Sequence, residues 1–151
     1  MDNIWSDDWE TGPEDDWSGG GGSSKRLAPP GGMLGASVYE LPPDGYSVYH
    51  FHHGSEELLI VLKGRPTLRT PDGERQLDKG ESVYFPPGPE GAHGVTNRTS
   101  EPVRYMVAGT RPSPEVVEYP DLGQLTAQSG HESQAGERLF VIHQLVEPPA
   151  E

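Results

Sequence analysis

From Ala36 onward, turn residues cut the chain at close intervals into short apolar or alternating runs, and this punctuation limits the fold more than any other feature. The runs "ASVYELP" (36–42), "YSVYHFHH" (46–53), "ELLIVLKG" (57–64), "PTLRT" (66–70), "ERQLD" (74–78), "ESVYFP" (81–86), "AHGVTN" (92–97), "VRYMVAGT" (103–110) and "RLFVIHQL" (138–145) have strand length and strand composition. Between them sit "PPDG" (42–45), "TPDG" (70–73), "DKG" (78–80) and "PPGPEG" (86–91). Such spacing predicts an all-β fold, an antiparallel sandwich or small barrel, with "TLRTPDGERQL" (67–77) as its clearest hairpin. Residues 121–136 show no periodicity and are expected to form a loop before the last strand.

Composition agrees. Apolar residues make up 32% of the 151, against 20 glycines and 16 prolines, a mix that suits a turn-rich β protein and not a helical bundle. The net charge of −13 argues against nucleic acid or an anionic membrane surface as partner. The chain has no cysteine, so disulfides and thiolate metal sites are excluded, and histidine and carboxylate must hold any metal. No apolar run reaches transmembrane length and the acidic N-terminus is unlike a secretion signal, so a soluble cytoplasmic protein is expected.

Three segments follow: an acidic tail and linker over 1–32, a barrel over 33–120, and a loop plus C-terminal strand over 121–151. Residues 1–24 combine acid, glycine and serine with almost no aliphatic side chain and are expected to be disordered. All three tryptophans, Trp5, Trp9 and Trp17, lie there, so the alternative is a segment that docks through its indoles.

The chemistry concentrates in "YHFHHGSEELLIVLKG" (49–64). Side chains two apart on a strand share a face, so His50 and His52 point one way while Phe51 and His53 point the other. Of the adjacent Glu56 and Glu57, only one can face the histidines; both faces of the following strand are apolar, and alternation alone leaves the choice open. His93 opens a later strand just after a Pro-Pro-Gly turn.

These residues resemble the cupins, a family of small β-barrels with two ordered motifs. The first motif appears as Gly45, four residues, His50-Phe51-His52, four residues, Glu57, six residues and Gly64. The second appears as Gly80, five residues, Pro86-Pro87-Gly88, four residues, His93, three residues and Asn97. The departures are one residue fewer after Gly45 and a two-residue insertion, Pro89-Glu90, beside the site. The resemblance covers 36–110 and implies a jelly-roll barrel in which His50, His52, Glu57 and His93 hold one divalent transition metal. The distance to Gly64 selects Glu57 over Glu56. Three imidazoles and a carboxylate suit iron, manganese, nickel, copper or zinc. Glu56, Asn97, Tyr46 and Phe85 are candidates to support the ligands or line the pocket. His143 is expected to be strand filler. Arg69, Arg98 and Arg104 are candidates to meet an anionic substrate, with no pattern that places any of them in the cavity.

The family hosts many activities on one scaffold. The function expected first is a small-molecule metalloenzyme, a dioxygenase (a putative oxidoreductase) or an isomerase or lyase. The alternative is a non-catalytic module that binds or senses metal or a small ligand. A metal-free sugar-binding or epimerase-like barrel would leave the quartet unexplained. The resemblance also implies a homodimer that pairs terminal strands.

Overall fold

In a computed structural model, residues 3–15, 20–132 and 138–146 are described; Trp17 and the last five residues lie outside them. Twelve strands run β1 Ser23–Arg26, β2 Leu34–Leu41, β3 Phe51–His52, β4 Glu57–Lys63, β5 Thr67–Thr70, β6 Gly73–Gln76, β7 Ser82–Phe85, β8 Gly94–Thr96, β9 Val103–Thr110, β10 Glu115–Tyr119, β11 Gln124–Glu132 and β12 Arg138–Gln144. Among the described residues there is no α-helix, only two 3-10 turns, and no helix long and apolar enough to cross a membrane.

The strands form three antiparallel sheets, ordered β1-β2-β9-β4-β7, β12-β11-β10-β3 and β6-β5-β8. Their inner faces enclose one core of Leu41, Leu59, Val61, Leu68, Leu77, Phe85, Val95, Val103 and Tyr105. β4 alternates through Val61: Leu59 and Val61 are buried and Leu58 is exposed, and a register shift after Val61 leaves Lys63 exposed as well. Leu59, fully buried, contributes about 1.5–3 kcal/mol by leaving water. The expected hairpin forms as β5–β6, with Thr70 opposite Gly73 across Pro71 and Asp72.

Several regions differ from expectation: the expected strand over 46–53 shortens to β3, and β10 lies outside the expected runs. Much of the expected 121–136 loop is a strand: β11 pairs with β10 on one side and β12 on the other. Its ladder is supplied by neighbours, so it needs little periodicity of its own. The linker also contributes β1, which extends the first sheet through Ser24 opposite Tyr39 and Lys25 opposite Val38.

The described part of the tail, 3–15, has no regular strand or helix, as its composition predicts, yet it lies against the barrel. Thr11 bridges Ser24, with both backbone hydrogen bonds made (3.1 and 3.0 Å). Lys25, 3% exposed, donates to the carbonyls of Asn3 (2.7 Å) and Ser6 (2.6 Å) and to Asp8 (2.9 Å). Arg104 on β9 pairs with Glu40 and Asp7 and donates to the Ile4 carbonyl. The Trp9 ring lies near both cations, 5.3 Å from the Lys25 ammonium and 4.7 Å from the Arg104 guanidinium. Trp5 is 54% exposed, so Trp9 carries the contact.

Candidate metal centre

The strand parity around residue 50 is a product of pairing. His50 and His93 face each other across an isolated antiparallel bridge and exchange both backbone hydrogen bonds (3.0 and 2.9 Å). His52 follows two residues on, in β3. Phe51 points the other way and is buried, and His53 reaches the rim, where it contacts Glu118 (3.1 Å) and is about half exposed.

Glu57 begins β4 on the same face as Leu59 and Val61, so the core pattern draws it inward. Gly109 is its partner on β9, and a Cβ there would stand 2.9 Å from the Glu57 side chain and 2.6 Å from the Glu56 carbonyl. Only glycine leaves the carboxylate room to lie across β9. Glu56 turns outward and accepts from the Tyr84 hydroxyl (2.8 Å).

The four groups come together. Glu57 Oε2 lies 3.2 Å from His52 Nε2 and 3.3 Å from His93 Nε2. Donor atoms of His50, His52 and Glu57 all lie within 4.8 Å of one another. The His50 ring is 5.2 Å from that of His52 and 4.7 Å from that of His93, centroid to centroid.

Each imidazole is held by its other nitrogen. His50 Nδ1 meets the Val48 carbonyl (2.7 Å) and His93 Nδ1 the Gly91 carbonyl (2.9 Å). A carbonyl only accepts, so both Nδ1 atoms carry the proton and a neutral ring presents a bare Nε2. His52 Nδ1 meets Glu115 Oε1 (3.1 Å), while Glu115 Oε2 accepts from the Ser55 hydroxyl (2.6 Å). Histidine ligands of metals are oriented by such outer partners.

The electrostatics agree. Burial, reinforced by the neighbouring His93, drops His50 to about 4, and burial also lowers His93, so both rings stay neutral. Burial opposes charge on His52 too, but the Glu115 and Glu57 carboxylates override it and lift the ring to about 9. Burial likewise disfavours a charged Glu57, and the adjoining imidazoles, His52 foremost, outweigh it and lower its pKa. The two carboxylates thus favour positive charge where His52 points.

On its outer side that charge meets Glu115 through Nδ1; on its inner side it meets Glu57 Oε2 at ion-pair distance. His52 Nε2 and Glu57 Oε2 are buried and face each other at 3.2 Å, yet neither has a hydrogen-bond partner among the described residues. Leaving two such groups unsatisfied costs about 1–3 kcal/mol each. A divalent ion replacing the His52 Nε2 proton would take a lone pair from each atom and remove that cost, and three imidazoles with one carboxylate are the donor set that transition metals take. The residues fit a metal.

Sequence reasoning did not single out Ser55, Glu115 or Tyr119. Glu115 is 63 residues from His52, and its only local signal is alternation with Val117 and Tyr119 along "EVVEY". Among the other candidates, Phe85 stacks flat on His93 (3.7 Å, 9°) and Tyr46 lines the adjoining cavity. Asn97 is occupied elsewhere: its amide donates to the Leu41 and Glu101 carbonyls and its oxygen accepts from Thr99. His143 is exposed on β12. Arg69, Arg98 and Arg104 are each paired with carboxylates (Asp121, Glu74, and Glu40 with Asp7). The inserted Pro89-Glu90 forms a 3-10 turn through Gly91, whose carbonyl orients His93. A side chain at Gly91 would strike the Pro86 carbonyl oxygen at 1.8 Å.

Two cavities meet at the site. The larger, about 420 Å³, is lined by His50, Glu57 and His93 below, Tyr39, Tyr105 and Tyr119 on its wall, and Thr11 and Asp15 of the tail at its rim. The smaller, about 230 Å³, reaches His52, Glu57 and Glu115 from the other side.

Residues 37–109 match the cupin domain family. An uncharacterized protein of Methanocaldococcus jannaschii is 25% identical over 72 residues, 48% of this chain, and the chain spans only 56% of that relative's length. Among solved structures, a sugar phosphate isomerase of the cupin superfamily from Silicibacter pomeroyi superposes with a TM-score of 0.71 at 26% identity, over 89% of this chain and 82% of that one. A putative sugar phosphate isomerase from Acidithiobacillus ferrooxidans gives 0.67 at 28%, over 82% and 78%. The double motif, the antiparallel barrel and the family match together identify this chain as a member of the cupin superfamily.

Proposed function

We propose that His50, His52, Glu57 and His93 hold one divalent transition metal and that the barrel acts on a small polar substrate by isomerase-type chemistry. The observation that carries this is the buried, hydrogen-bond-free approach of His52 Nε2 to Glu57 Oε2, beside two histidines whose Nδ1 atoms are tied back to carbonyls. When bound, the metal would supply Lewis acidity toward a chelating hydroxyl or carbonyl oxygen. Glu115 fixes the His52 ring, and Phe85 fixes the plane of His93. Burial raises the pKa of Tyr39 and Tyr119, so both stay protonated and offer O–H donors in the cavity. Isomerase chemistry is favoured over a dioxygenase because the two superposed structures with TM-scores of 0.71 and 0.67 bear sugar phosphate isomerase names.

Elemental analysis of untagged protein is the direct test. Near-stoichiometric metal in the wild type, lost in His52→Ala and His93→Ala, is expected. Substoichiometric metal unchanged by either substitution overturns the proposal. Solvent-hydrogen exchange into a panel of sugar phosphates, followed by NMR, then tests the isomerase assignment.

A binding or sensing module is the second reading. Beyond the proposed ligands, the titratable groups lining the larger cavity among the described residues are tyrosines and Asp15 at the rim, a modest set for acid–base work. Full metal occupancy with no exchange into any substrate would favour it. Edge strand β12, with Phe140 (61%) and Ile142 (54%) exposed on one face, supports a homodimer joined there.

A further inference from the structure

Arginine pairing in this molecule is nearly uniform. Arg26, Arg65, Arg69, Arg75, Arg98 and Arg104 each hold a carboxylate within 2.9 Å. Arg111 differs. It stands one residue beyond β9, half-buried, and its guanidinium makes no hydrogen bond or ion pair with any described residue. Its backbone is nonetheless fixed, since its N–H donates to the Met33 carbonyl (2.8 Å). Its side chain lies over Gly35, where a Cβ would come within 2.5 Å of Nε.

Arg111 lines the smaller cavity together with His52 and Glu57. Glu115 lines it as well, but both of its oxygens are taken, one by His52 and one by Ser55. Glu57 faces the imidazoles. Ser37, Thr110 and Gln128 add neutral polar groups to the lining. Arg111 is therefore the cationic side chain there with no anionic partner among the described residues.

A guanidinium stays charged at every physiological pH and presents a planar fork that matches a carboxylate or phosphate in two parallel hydrogen bonds. Half-buried and without a carboxylate among the described residues, it is placed to make that pair with a ligand. We propose that Arg111 is the anion-binding residue of the substrate site, taking the phosphate or carboxylate group of a ligand whose chelating oxygen points at His52 and Glu57. This rests on the metal-centre proposal for the second half of the ligand, though the anion contact itself does not need the metal. Because Glu57 and Tyr39 line both cavities, one molecule can span them. The substrate class that follows is a small polyol or carbonyl compound carrying a terminal oxyanion group.

The test uses the full chain, wild type and Arg111→Gln, with glycerol 2-phosphate and malonate as probes in calorimetric titrations. Metal content is measured separately on each sample. Wild type should bind at least one probe, and Arg111→Gln should weaken that probe about tenfold or more while retaining wild-type metal content. Tighter binding of glycerol 2-phosphate assigns a phosphate ligand, and tighter malonate binding a carboxylate. Equal affinity in wild type and variant, or no binding of either probe by wild type, overturns the proposal and leaves the metal centre untouched. Arginine-dependent binding in a protein without metal would overturn the metal centre and keep the anion site. If Arg111→Gln fails to fold, phenylglyoxal labelling of wild type decides instead. The bound probe should protect Arg111 from modification, and labelling that the probe does not slow counts against the site.

Discussion

Two clusters of charge are buried in this barrel, and they are built to opposite rules. Beneath the tail, Lys25 and Arg104 are 3% and 4% exposed, and their cationic atoms meet carbonyls, carboxylates and the Trp9 face. At the centre, His52 Nε2 and Glu57 Oε2 are buried and face each other at 3.2 Å with no hydrogen bond formed by either among the described residues. Satisfied burial holds a segment in place; unsatisfied burial asks for a ligand. Burial alone therefore does not mark the site, and a search for buried charge would have ranked Arg104 beside His52.

The comparison breaks most visibly at Arg104. Arg104→Ala strands Glu40 and frees the tail, so denaturant unfolding should show a loss of about 3–5 kcal/mol with metal content unchanged. Metal loss in that variant would mean that the two clusters are one system. Next in size, Glu57→Ala should lower metal affinity about a hundredfold or more in competition with a chelator, while the melting point of chelator-treated protein stays at or above wild type. A large fall in the chelator-treated melting point would show that Glu57 belongs to the structural kind. Glu115→Gln keeps the shape but removes the charge that His52 leans on, and should cost about 10–100-fold in metal affinity. Trp9→Ala should cost about 1 kcal/mol, read from unfolding curves, as the packing over the two cations goes. Smallest is His53→Ala. Its contact with Glu118 is exposed, so stability should move by less than about 0.5 kcal/mol and metal affinity not at all.

What the chain discloses in advance depends on how local each cause is. That His50 and His52 share a face is legible from strand parity over three residues, whereas the inclusion of Glu57 and of His93, on a later strand, is legible only through the resemblance of the two ordered motifs to the cupins. Glu115 is not, because its role comes from β10 lying beside β3, with Val117 opposite His52. The strand character of "QLTAQSGHE" is hidden for the same reason: β10 and β12 supply its hydrogen bonds. Tail docking was half visible. Three tryptophans in an otherwise disordered composition are an anomaly, but that Trp9 meets Lys25 and Arg104 depends on β1 joining the sheet and setting Lys25 opposite Val38.

The rim of the larger cavity is drawn from that same docked segment. Thr11 and Asp15 line it together with His50 and His93, yet they belong to a stretch outside the barrel strands, held by side-chain bonds and a single bridge. The histidines cannot change without touching the core beneath them, since His93 is stacked on Phe85. The rim can change and leave the core packing as it is. The proposed ligands and part of the cavity lining thus reside in separately mutable stretches of one chain, and a library confined to residues 10–15 should alter that lining while His93 keeps its packing on Phe85.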